Sequence, residues 1–119
     1  MKKLLLASSV SLLTMVGGLG VASASPVSTA EIVTICQDTG NNAAQNFCNG
    51  YAQGVYDMYV SDIHPTENPA YVCFPNPGPS RADVINNYIA WASEATQYAK
   101  LPAADSMMRY LATTYPCKK

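Results

Sequence analysis

Residues 47–57 read FCNGYAQGVYD, placing a cysteine, two glycines four residues apart and a carboxylate within eleven positions. Around them Ala44, Phe47, Cys48, Tyr51, Val55, Met58 and Tyr59 recur at helical spacing, which predicts a helix over about 43–62. Gly50 and Gly54 fall on one edge of that helix, and each costs roughly 1 kcal/mol relative to alanine in an exposed helix interior. Two weakening residues in one helix need a return. The expected return is close approach of another backbone, from a neighbouring helix or from the proline-rich segment that follows. A ligand or partner lying against bare backbone is the alternative.

Working outward, Ser28 and Glu31 form a capping-box pair that opens a helix over about 29–38, which Gly40, Asn41 and Asn42 break. From His64 to Ser80 the chain carries Pro65, Pro69, Pro75, Pro77 and Pro79, so this stretch is irregular. It holds the short apolar knot Tyr71, Val72, Cys73 and Phe74. Ser80 and Asp83 cap a third helix over about 81–98, with the stripe Val84, Ile85, Tyr88, Ile89, Trp91, Ala92 and Ala95. Pro102 suits the first turn of a fourth helix, about 102–114, burying Ala104, Met107, Met108, Leu111, Ala112 and Tyr115. No alternating strand pattern occurs. The expected fold is all-α: a small four-helix domain stapled by disulfides, with a proline-rich loop between helices two and three.

The N-terminus reads as an address. Lys2 and Lys3 precede an apolar stretch from Leu4 to Val21, closed by Ala22-Ser23-Ala24, which is the pattern of a secretory signal cleaved after Ala24. Serines and glycines interrupt the stretch, which argues against a membrane anchor. The domain reading is therefore a signal peptide at 1–24 and one domain at 25–119, with no membrane contact after cleavage. The mature chain keeps five basic and eight acidic residues, a net charge of −3 with His64 neutral, and shows no basic patch. That excludes nucleic acid as a partner, because phosphate neutralisation needs clustered Lys and Arg.

Cys36, Cys48, Cys73 and Cys117 all survive cleavage, and an even count in a small exported domain points to two disulfides. No C-x-x-C pair offers a zinc chelate. Cys36 ends helix one and Cys48 lies early in helix two, while Cys73 precedes helix three and Cys117 follows helix four. Helical hairpins would therefore join Cys36 to Cys48 and Cys73 to Cys117, though spacing alone leaves the other two pairings open.

Catalytic chemistry is thinly represented. His64 is the only histidine, with Asp62 nearby, and a solvated loop residue is the simpler reading. No G-x-S-x-G, phosphate loop or metal-binding helix motif occurs. The chain reads as non-enzymatic and free of cofactors and metals. Eight tyrosines are too many for so small a core, and half-exposed tyrosines make good contact residues.

Three segments in order, FCNGYAQGVYD at 47–57, YVCFPNPGPSRADVINNYI at 71–89 and YLATTYPC at 110–117, resemble the Tai-type immunity proteins over roughly residues 32–117. The matching positions are Cys48, Gly50, Tyr51, Gly54, Asp57, Cys73, Pro75, Pro116 and Cys117. Ala52 stands where a larger aliphatic residue is usual, and the loop carries extra prolines. The resemblance implies a periplasmic helical domain, often a homodimer, that occludes the active site of a peptidoglycan amidase effector delivered by type VI secretion. Contact through the 64–80 loop and the exposed edge of helix three or four would place Tyr71, Phe74, Asn76, Arg81 and Arg109 at the partner. The second reading is a periplasmic stress protein of the acid-activated chaperone kind, which would expose its apolar stripes at low pH.

Overall fold

A computed structural model describes residues 24–64 and 68–118. The expected signal peptide lies outside the described residues except for Ala24, as do Pro65, Thr66 and Glu67 of the proline-rich stretch. Four α-helices follow one another: α1 (Thr29–Gln37), α2 (Asn42–Ile63), α3 (Arg81–Glu94) and α4 (Ala103–Thr114), with a short 3-10 turn at Thr96–Tyr98. Two isolated bridges, Ser28 with Pro102 and Val72 with Pro116, are the only extended pairings among the described residues. Among them, too, no helix is long and apolar enough to cross a membrane.

The expected caps form. Ser28 accepts from the Glu31 amide at 3.2 Å, and the Glu31 carboxylate accepts from the Ser28 amide at 2.8 Å and the Ser28 hydroxyl at 2.7 Å. These bonds, the backbone one first, hold the Glu31 carboxyl below its ordinary value. Its contribution to stability is therefore complete at neutral pH and fades as pH falls through the lowered folded value. Ser80 caps α3 by accepting from the Asp83 amide. Two boundaries differ from the sequence reading. α3 stops at Glu94, with Ala95 as its cap, and the chain tightens into the 3-10 turn. Pro102 occupies the N-cap of α4 at ψ 133°, one position before the first turn.

α1 packs against each of the other three helices. Its first two amides, which no helix can satisfy internally, donate to the carbonyls of Leu101 (2.8 Å) and Ala99 (3.0 Å). Ile32 on α1 is fully buried, and Ile85, Tyr88, Ile89 and Ala92 of α3 meet Ala103, Met107, Tyr110 and Leu111 of α4 in the core. The sequence reading of α4 was displaced around the helix: Ala103, Ser106 and Tyr110 are buried, whereas Ala104, Met108, Ala112 and Tyr115 are half-buried. The reason is polar. Ser106 Oγ donates to the Ala103 carbonyl at 3.1 Å, accepts from the Thr29 hydroxyl at 2.8 Å and shares a 2.8 Å hydrogen bond with the Tyr88 hydroxyl. This buried hydroxyl cluster ties α1, α3 and α4 together.

Both expected disulfides are present, Cys36–Cys48 and Cys73–Cys117, closing loops with separations of 12 and 44 residues. Loop-closure entropy gives them about 3 and about 4 kcal/mol. They staple α1 to the first half of α2, and the proline-rich segment to the C-terminal tail.

Ser106→Ala should destabilise the domain by about 2 kcal/mol, because the Tyr88 hydroxyl would stay buried without its partner. Denaturant unfolding checks this against Thr34→Ala, where an exposed threonine should change stability by no more than about 0.5 kcal/mol.

Candidate interaction surface

α2 is 22 residues long, yet only Cys48 and Tyr59 on it are buried. Phe47 and Met58, expected on its core stripe, are instead 45% and 72% exposed. At 100° per residue, Phe47, Gly50, Gly54 and Met58 fall within about 80° of one another, so they form one outward strip. Nothing lies within 4 Å of where a Cβ would stand on Gly50 or Gly54. The expectation that these glycines admit a neighbouring backbone is therefore wrong. They face open space and leave bare helix between two apolar side chains. Phe47 stacks on Tyr51 with ring centroids 5.9 Å apart, which steadies one end of the strip.

At the other end stands the proline-rich segment. Tyr59 is buried, and its hydroxyl accepts from the amides of Tyr71 (3.0 Å) and Val72 (2.9 Å). The Cys73 amide donates to the Tyr115 carbonyl at 2.8 Å, beside the Cys73–Cys117 disulfide. Tyr71 is held edge-on to the Tyr59 ring at 4.7 Å and is 48% exposed, and burial against these groups pushes its phenol up. A shallow open depression of about 600 Å³ runs between them, lined by Gly50, Gly54, Val55, Met58, Tyr71 and Met108 among others. Its charge is negative. Asp62 is the one charged residue in its lining, and no Lys or Arg occurs anywhere from residue 24 to residue 80.

The other expected contact residues are dispersed. Phe74 is half-buried against Tyr56 (5.6 Å) and Tyr115 (4.7 Å), so it pins the loop to the core and offers little surface. Asn76, exposed, precedes Pro77 through a cis peptide bond. Arg81 opens α3 on a second recess, away from Tyr71. Arg109 pairs with Asp105 at 2.8 Å and lies over the Tyr98 ring at 5.9 Å, lining neither recess. Of the five, only Tyr71 belongs to the strip. Met58 and Phe47 were placed in the core because apolar periodicity cannot distinguish a core stripe from an unpartnered one. The glycines at the same edge were the available signal.

His64 ends α2, exposed, with its amide donating to the Val60 carbonyl. Among the described residues no three or more His, Cys, Asp or Glu side chains come together in a group fit to hold a metal ion.

What is assembled here is a rigid acidic-apolar face on a disulfide-stapled helical domain, the equipment of a binding module. The chain belongs to the Rap1a immunity protein family, which matches it over residues 28–117. This is a family of type VI secretion immunity proteins, so the class is an immunity protein directed at a secreted effector. The family match is broader than the Tai-type resemblance seen in the motifs. No curated protein and no solved structure gives a significant match.

Gly50→Ala and Gly54→Ala should each leave the fold intact and raise stability by about 0.5–1 kcal/mol, since the helix gains propensity and the new methyl meets nothing. Thermal unfolding checks the sign. Tyr59→Phe should speed amide exchange at Tyr71 and Val72 and cost about 1–3 kcal/mol, because two amides lose their acceptor.

Proposed function

We propose that the chain is a periplasmic immunity protein of the Tai type, exported by cleavage after Ala24. In this reading it binds a type VI secreted peptidoglycan amidase and occludes its active site. The observation that carries the reading is the outward strip on α2. Phe47 and Met58 project on either side of the bare backbone at Gly50 and Gly54, and Tyr71 is clamped beside them. Large exposed apolar side chains in a contiguous patch mark protein contact sites. A partner element crossing at the glycines would come within backbone distance of α2 while burying both knobs. The acidic character of the depression, with Asp62 in its lining, suits a partner that presents Lys or Arg there, which favours an effector over a second copy carrying the same charge. Because Tyr59 and the Cys73–Cys117 staple already order the loop, little entropy is lost on docking.

The test pairs the exported chain with peptidoglycan amidase effectors produced one at a time in the periplasm. The cognate effector should lyse cells that lack the chain and spare cells that have it. Met58→Asp should lower affinity for that effector by at least about 30-fold, as truncation of a hot spot does. Gly54→Ala should also weaken binding while the fold grows more stable. Full protection by both variants would remove the strip from the interface. A homodimer lost in Met58→Asp with effector binding intact would reassign the strip to self-association.

A further inference from the structure

A second recess lies on the opposite flank of α2, beneath Phe74 and Pro79, with a volume of about 280 Å³. Ala52 and Tyr56 of α2 form one wall, Val84 of α3 the other, and Tyr110 of α4 part of the floor. The small side chain at position 52 leaves the recess open. Its depth offers no polar anchor: the Tyr88 hydroxyl on the floor is bonded to Ser106, and among the described residues no buried side-chain N or O lacks a partner. Only an apolar group fits there without stranding hydrogen-bonding capacity.

The mouth is different. Arg81 is the one charged residue in the lining, it is exposed, and the one ion pair among the described residues is Asp105 with Arg109, so Arg81 is without a carboxylate. Gln53, also at the mouth, has its amide committed to Asp57 at 2.6 Å. An occupant thus needs an apolar body and an anionic end. At about 280 Å³ the recess has room for an alkyl chain of medium length. A single apolar side chain of a docked protein carries no anionic end of its own for Arg81.

We propose that this recess binds a free medium-chain carboxylate, its chain between α2 and α3 and its carboxylate on Arg81. This binding does not depend on the effector interface.

The test titrates decanoate, kept below its micelle concentration, into the oxidised mature chain, followed by amide shifts and calorimetry. Saturable one-to-one binding should move the resonances of Ala52, Val84 and Tyr110. Ala52→Leu, which fills the recess and suits a helix, should abolish binding without lowering the melting temperature, and Val84→Phe serves as a second filling variant. Arg81→Gln should weaken decanoate about fivefold and leave 1-decanol unaffected. Met58→Asp should bind decanoate as the parent does, which separates this site from the effector strip. The proposal is overturned by the absence of saturable shifts, by binding that survives both filling variants, or by equal affinity in Arg81→Gln.

Discussion

One buried hydroxyl organises the functional half of this molecule. Tyr59 Oη accepts the amides of Tyr71 and Val72, and in doing so fixes where the proline-rich segment from residue 68 passes over the end of α2. A proline-rich segment has few amides to give and cannot order itself through secondary structure. Its position must be imposed from outside, here by Tyr59, by the Cys73–Cys117 disulfide and by Phe74 wedged between Tyr56 and Tyr115. Three consequences follow from that placement. Tyr71 is presented beside the α2 strip, the C-terminal tail is locked to the core, and a roof is laid over the second recess.

The rest of the domain is built to free α2. α1, α3 and α4 supply most of the buried core and are joined by the hydroxyls of Thr29, Tyr88 and Ser106. The longest helix is then attached to them by Cys48 and Tyr59 and by partly buried neighbours. A helix held this way can keep residues that stability alone would not select. Glycines at positions 50 and 54 and exposed Phe47 and Met58 lower or add nothing to the stability of the isolated chain. They make sense as features of an interface completed by another molecule.

Much of this was legible in the sequence, and the remainder failed for identifiable physical reasons. Ser28 with Glu31 and Ser80 with Asp83 announced two helix starts through side-chain chemistry that is local and therefore readable. Helix order favoured the observed cysteine pairing, while spacing left the other two open. The glycine pair was correctly recognised as anomalous, but its meaning depends on what stands opposite, and that is tertiary information. The same limit misplaced Phe47 and Met58 in the core, because periodicity reports a face and not what covers it. Ser106 was passed over since a serine amid apolar residues looks like solvent exposure until its two partners, 77 and 18 residues away, are brought to it. Arg81 and Tyr71 were grouped as one contact set by their nearness in sequence, whereas α2 stands between the two recesses they line.

The central claim is that the α2 strip is the surface an effector covers, and Met58 gives it a direct readout. Met58 is 72% exposed, whereas Met107 is 5% exposed in the core. Oxidation to the sulfoxide follows exposure, so the two methionines report surface and interior in one sample. Peroxide footprinting, resolved by mass spectrometry, would be run on the free chain and on the chain bound to the effector it inhibits. The account predicts that Met58 oxidises quickly when free and is protected in the complex, with Met107 slow in both. Oxidation of Met58 at the free rate while the effector remains fully inhibited would contradict it.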